Sequence, residues 1–431
     1  MAGRTRLLAP TLSHEPGTAR SNHWWVLASL AAGIAAGTWI EASGSHAALA
    51  IAPVIEAIGT LWLNALRMTV GPLVFAMLVS AVAGVSDAMS TGRLATRAVL
   101  WFASLLLLAG VLAVLLSYAL LLAWPIDPQV ATGFVQSTAH GSTTPGVALD
   151  WTRFLEGLLP PNIIAAAADN AILALVVFAT LFGFAATRLA PAQRDVLTGF
   201  FAAMAEAMVV IVHWVLVVAP VGVFALALGL GRQAGLRAAG LLLHYATFVA
   251  LVIALATCAL YGLVALRGHV FAKRFARGIA PVQVVAASTQ SSLATLPAMI
   301  ECARDRLGVA PRVAHLMLPL AVAVFRYTSP LGNLAVCFFI AALYGLQPSL
   351  LQVAVSIFVA FAISVGTVGL PGQVSFVASV APICAALGVP ADLLGILVAV
   401  EILPDIFRTI GNVTADLAVT AVVADTAAPE E

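Results

Sequence analysis

The chain has 431 residues, of which 62% are hydrophobic and only 9% are charged, whereas soluble domains carry roughly a quarter of their residues as charges. Twenty basic and 19 acidic side chains give a formal net charge of +1, so there is no broad basic surface to attract nucleic acid, and the charges cluster between apolar stretches. With a mean hydropathy of +1.06, this is the composition of a polytopic membrane protein whose surroundings are a lipid bilayer.

Residues 1–23 carry Arg4, Arg6 and Arg20 but lack an apolar core and a cleavage site, and are expected to form a cytoplasmic tail rather than a signal peptide. Apolar blocks follow near 24–42, 50–86, 97–124, 162–188, 198–228 and 239–267. Each can cross roughly 30 Å of hydrocarbon as a helix of about 20 residues. Basic residues mark alternate connections: Arg93 and Arg97, then Arg188 and Arg194, then Arg267, Lys273, Arg274 and Arg277. Because lysine and arginine stay on the cytoplasmic side, the amino terminus is expected inside, with Arg232 and Arg237 as an exception. The stretch from Pro125 to Asp150 reads as a solvated connector. Cys258, Cys302, Cys337 and Cys384 lie in apolar surroundings without CxxC spacing, and read as small core residues rather than disulfides or metal ligands.

After residue 280 the simple pattern fails. Segments 280–310 and 350–388 are apolar, yet each is interrupted midway, by "STQSSLATLP" (Ser288 to Pro297) and by "SVGTVGLPG" (Ser364 to Gly372). Unwound backbone at membrane depth has to line protein or a watery cavity, so each segment is expected to be a re-entrant helical hairpin. Two kinked spanning helices are the alternative. A further long segment follows each, at 311–344 and 391–424. This doubled unit is the mark of an inverted repeat with a binding site between its halves.

The window "PDIFRTIGNVTAD" (Pro404 to Asp416) gathers polar groups into a greasy chain. At about 100° per residue, Glu401, Asp405, Arg408, Thr409, Asn412 and Asp416 share an arc of roughly 100° on one helix. Ionisable residues inside a membrane face the bundle interior and mark substrate or ion paths. Pairing of Asp405 with Arg408 within the helix would add only a few tenths of a kcal/mol, too little to account for six polar groups.

These motifs, with "RMTVGPLVFAMLVSAVAGVSD" (Arg67 to Asp87), "LLPPNIIAAAADNAILALVVFA" (Leu158 to Ala179) and "FFAAMAEAMVVIVHWVLVVAPVGVFAL" (Phe200 to Leu226), resemble the dicarboxylate/amino acid:cation symporter family, which includes archaeal aspartate and animal glutamate transporters. The resemblance implies an all-α integral membrane fold of about eight transmembrane helices plus two re-entrant hairpins, a homotrimer, and an elevator-like transport domain moving against a scaffold. Scaffold helices 1–2 would occupy 24–96 and scaffold helices 4–5 would occupy 125–238. Transport-domain helix 3 would lie at 97–124. The transport core would occupy 239–425, with helix 6, hairpin 1 at 280–310, helix 7, hairpin 2 at 350–388 and helix 8, before a second cytoplasmic tail at 426–431.

Carried over by position, the resemblance places the substrate's side-chain carboxylate on Arg408 and its ammonium on Asp405. Thr409, Asn412, Ser291, Ser292, Val368 and Gly369 complete the pocket. The family's cation motif is degenerate here: the seventh-helix "NMDGT" stretch is Phe325, Arg326, Tyr327, Thr328 and Ser329, and the third-helix oxygen ligands are Phe102, Leu105 and Leu106. Sodium needs several oxygen ligands, so one sodium site looks dismantled. Asp416, Asn412, Ser364 and Thr367 remain as cation-site residues. Arg326 stands in for a cation beside Asp416 or Asp405, joins Arg408 in binding a more anionic substrate, or snorkels to cavity water.

The implied function is a symporter of acidic amino acids or dicarboxylates in the inner (plasma) membrane, both termini cytoplasmic, coupled to sodium or to protons through Glu401 or Asp405. The alternative is an organic-anion exchanger or a passive anion conductance. No cofactor and no resident metal beyond sodium are expected. His213, His244 and His315 are isolated, and no HExxH or GxSxG pattern suggests an enzyme.

Overall fold

The computed structural model describes residues 19–90, 93–138, 159–169, 171–235, 237–266, 269–366 and 372–427. All regular structure among them is helical, and seven stretches are long and apolar enough to cross a membrane. Helices satisfy every backbone group internally, as hydrocarbon requires.

Helices α1 (Ala19–Ser43), α2 (His46–Ser90) and α3 (Arg93–Ala123) follow the first three apolar blocks. The next stretch departs from expectation. Instead of a plain connector it forms α4 (Pro128–Thr138), started by Asp127, whose Oδ1 accepts from the Gln129 N–H at 2.8 Å. Phe134 is fully buried and Ala131 nearly so, because Val130, Ala131, Phe134 and Val135 make an apolar stripe at helical spacing.

The fourth block divides into α5 (Ile163–Ala168) and α6 (Ile172–Ala186), with the Asn162 side chain capping α5 through the amides of Ile164 and Ala165. The fifth starts earlier than expected, as α7 (Pro191–Val217), and continues as α8 (Ala219–Ala234). Pro220 explains the break, since it lacks an N–H and its ring crowds the preceding turn.

α1 and α8 pack backbone to backbone. A Cβ on Gly33 would collide with the Phe224 carbonyl and the Ala227 side chain, and one on Gly37 with the Leu228 carbonyl and the Arg232 amide. This is the small-residue packing that lets helices approach where water gives no hydrophobic drive. Arg232, exceptional as a loop charge, turns out to lie inside α8. Its Nη1 donates to Glu56 Oε1 at 2.7 Å, with Glu41 3.8 Å from its Nε, so it joins α1, α2 and α8 rather than reporting orientation.

After α9 (Arg237–Ala265) the chain forms a helical hairpin from α10 (His269–Thr289) and α11 (Ser292–Glu301), which pack on each other. Its first arm begins at His269 rather than near 280. A π-helical turn, Cys302–Arg306, closes the second arm. α12 (Pro311–Val324) and α13 (Thr328–Leu343) are the halves of one broken helix. A second packed pair, α14 (Leu350–Gly366) and α15 (Gly372–Leu387), follows. Short α16 (Leu394–Leu397) and a 3-10 turn (Val398–Val400) lead into α17 (Ile402–Ala427).

α17 is central, touching α9, α10, α11, α12 and α13. A separate apolar cluster of Phe275, Ile279, Met299, Leu307, Leu318 and Leu417 ties the first hairpin to α12 and α17, and so fixes the hairpin tip against the polar stripe.

Candidate substrate-binding site

The break between α12 and α13 has a local cause. Pro330 cannot donate to the Arg326 carbonyl four residues back, and the Ser329 N–H takes that acceptor instead at 2.9 Å. Phe325 adopts an extended conformation, with φ −112° and ψ 90°. α13 therefore starts with orphan amides, one of which α17 satisfies. Asn412 Oδ1 accepts from the Thr328 N–H and from the Thr328 hydroxyl, both at 2.9 Å, and that hydroxyl is also 3.0 Å from the Arg408 carbonyl. An N–H can only donate, so the amide is oriented with its oxygen on Thr328 and its NH₂ left for the cleft.

The first hairpin turns at Gln290, whose φ of +51° is left-handed, and at Ser291, which is extended. The Ser291 Oγ accepts from the Ala294 N–H at 3.2 Å and caps α11. The open end of α11 and the start of α13 both lie beside α17, and helix N-termini favour anions.

A cleft lies between these elements, lined by Gln290, Ser291, Ser292 and Leu293 from the tip, by Val322, Phe325 and Arg326, and by Asp405, Arg408, Thr409, Asn412 and Asp416 from α17. Eight residues singled out in the sequence thus meet on one surface: Ser291, Ser292, Arg326, Asp405, Arg408, Thr409, Asn412 and Asp416.

Others lie elsewhere. Glu401 precedes α17 at the end of the 3-10 turn and is only 3% exposed. It sits behind Arg408 rather than in the cleft. Ser364 is buried and donates to the Ala360 carbonyl of its own helix at 2.6 Å. Thr367, Val368 and Gly369 lie outside the described residues.

Arg408 is held from behind. Its Nη1 donates to Asn333 Oδ1 at 2.9 Å and its Nη2 to Glu401 Oε2 at 3.3 Å. A Cβ on Gly332 would come within 2.5 Å of the guanidinium, so only glycine leaves that slot open. A guanidinium has five N–H donors, and those left over can meet a ligand in the cleft. Glu401 and Asn333 thus anchor the guanidinium from behind.

The cation question has a clear steric side. Phe102 and Phe325 stack with ring centroids 4.6 Å apart, and Leu105 and Leu106 are buried beside them. Tyr327 donates to the Ala256 carbonyl at 3.1 Å. Asn412 Oδ1 is turned towards the Thr328 N–H and hydroxyl. Asp416 is fully buried, and neither of its oxygens has a hydrogen-bond partner, while Arg326 lines the same cleft.

Tyr245, Asn333 and Gln290 were not expected as site residues. Asn333 could have been found from its place just after the "TSPLG" break, whereas Tyr245 is a lone aromatic in an apolar helix and carried no signal. His244 stacks on Trp124, with ring centroids 3.9 Å apart. Among the described residues no group of three potential metal ligands occurs.

Comparison with known proteins places this architecture. The model of the sodium:dicarboxylate symporter family matches residues 23–426. The proton/glutamate-aspartate symporter of Escherichia coli is 28% identical over 93% of this chain and 92% of its own. The human neutral amino acid transporter B(0) is 30% identical over 90% of this chain and 77% of its own, and the bovine neutral amino acid transporter A is 29% identical over 83% and 73%. The chain belongs to the sodium:dicarboxylate symporter family, and is a membrane transporter rather than an enzyme.

Proposed function

We propose that this protein is a secondary active symporter of an acidic amino acid such as aspartate or glutamate, running on protons or without sodium, in the inner membrane. One observation carries the reading: Arg408 and Asp405 line one small cleft on adjacent turns of α17. A guanidinium fork suits a carboxylate, and a carboxylate three residues away suits an ammonium. The two named activities among the relatives pull in different directions, acidic and neutral, and the cationic Arg408 in the cleft favours the acidic one.

The stacked Phe102 and Phe325 support sodium independence, since they fill with carbon a region that would have to supply oxygens. Arg326 then supplies positive charge beside Asp416 without a bound ion. Glu401 and Asp405 are the proton-carrying candidates. The hairpins act as re-entrant gates and the helices from α9 onward, with α3, as the moving domain of an elevator. Support for this lies in the cluster that ties the first hairpin to α12 and α17, and in the packing of α1 and α2 on α8 and α7. A homotrimer with both termini in the cytoplasm completes the proposal.

A second reading follows from Arg326 lining the cleft with Arg408: two guanidinium groups suit a C4-dicarboxylate or a more anionic substrate. Competition for labelled L-aspartate uptake in proteoliposomes separates the two. Inhibition by L-glutamate but not succinate supports the amino acid, and the reverse supports the dicarboxylate.

A further inference from the structure

Arg408 faces two ways. Its front lines the cleft, while behind it Nη2 donates to Glu401 and Nη1 to Asn333. Glu401 is nearly inaccessible, and a buried carboxylate persists only with good partners. It has two, because its other oxygen accepts from the hydroxyl of Tyr245, a fully buried residue of α9. One guanidinium therefore serves a permanent internal anion and an open cleft.

We infer that Glu401 is the internal counter-anion of Arg408 in the empty carrier, and that it takes up one proton when the carboxylate of a bound anion replaces it there, Tyr245 partnering it in both forms. This rests on the reading of the cleft as a site for an anionic substrate. Two carboxylates on one cation in a poorly solvated site cannot both stay ionised. The arriving one is still in contact with water, whereas Glu401 cannot withdraw to water, so Glu401 is the one neutralised. The proton comes from solution, binds a Glu401 oxygen as the anion binds Arg408, and returns to solution when the anion leaves. No other bond changes.

Tyr245 fits both states, since a phenol hydroxyl donates to a carboxylate and accepts from a carboxylic acid. The remaining charges around Glu401 single it out. On its own helix these are Arg408 and Asp405, and Asp405 lines the cleft, where a ligand ammonium keeps it ionised. Arg326, at the break before α13, lines the cleft with Arg408. From α13 itself come the neutral Asn333 and Cys337. α9 brings Tyr245 beside the ring of His244, which is stacked on Trp124. Of the helices packed on the 3-10 turn, α15 contains no charged residue, and the titratable groups of α1 are Arg20, His23 and Glu41, near its ends.

The test counts protons. Purified full-length protein in weakly buffered detergent solution with an indicator dye is titrated with L-aspartate, and binding is followed separately by calorimetry. About one proton should be taken up per aspartate bound, almost none in Glu401→Gln, and again about one in Glu401→Asp. Infrared difference spectra should show a new carboxylic-acid band on binding that moves in Glu401→Asp. That band decides the matter if Glu401→Gln does not fold. Aspartate binding without proton uptake in the wild type, or undiminished uptake in Glu401→Gln, overturns the proposal. Failure of both aspartate and succinate to bind would instead overturn the substrate reading beneath it.

Discussion

Phe102 of α3 and Phe325 at the break of the α12–α13 helix lie face to face, 4.6 Å between centroids and 12° between planes. Both are buried. The pair fills this corner with hydrocarbon, and it ties the broken helix to α3. Phe325→Ala should cost on the order of 3 kcal/mol, read as a fall in thermal unfolding temperature in detergent. Adding sodium should not restore it.

The slot at Gly332 makes a sharper prediction. Its Cβ would lie within 2.5 Å of the Arg408 guanidinium, so Gly332→Ala has to push that group out of place. Aspartate affinity should fall at least about tenfold, equivalent to about 1.4 kcal/mol, with a smaller effect on unfolding temperature. Arg408→Lys keeps the charge but loses the fork, and should weaken binding by about 100-fold. Isothermal titration of each variant checks both.

Thr328 joins α17 to the start of α13 through Asn412 and the Arg408 carbonyl. Thr328→Val keeps the shape and removes the hydroxyl. The backbone N–H still holds Asn412, so the cost should stay near 1 kcal/mol, whereas Asn412→Leu, which orphans that N–H, should cost about 2 kcal/mol or more. Thermal unfolding of the two variants gives the order.

At the hairpin tip, Gln290 occupies the left-handed region, which costs an ordinary residue about 1 kcal/mol. Gln290→Gly should tighten the turn and Gln290→Val loosen it. Ser291→Ala removes the cap of α11 and should cost about 1 kcal/mol. Hydrogen exchange at 289–295 should slow in the first variant and quicken in the other two.

How much of this was legible in the chain depends on whether residues acted through patterns or through partners. The stripe from Asp405 to Asp416 was visible because polar residues at helical spacing in an apolar chain have few readings, whereas the serines at 291 and 292 came from the family resemblance. The break at Phe325 has its sign in the chain at Pro330, which cannot donate to the Arg326 carbonyl. Glu401 was found by periodicity, but its place behind Arg408 was not, because that depends on Tyr245 and Asn333, which lie 156 and 68 residues away in the chain. α4 was missed because absence of charge was weighed above the apolar spacing of Ala131 and Phe134. Arg232 was misread as a loop charge because its partners, Glu41 and Glu56, belong to distant helices.

The central claim, that fixed side chains replace the sodium site and protons drive the cycle, meets its most direct test in proteoliposome uptake of labelled L-aspartate. An inward proton gradient in sodium-free buffer is compared with an inward sodium gradient at equal pH. Concentrative uptake under the proton gradient alone, unchanged by sodium and lost in Arg326→Met, is the result expected. Uptake that appears only with sodium, and rises steeply with its concentration, would contradict it.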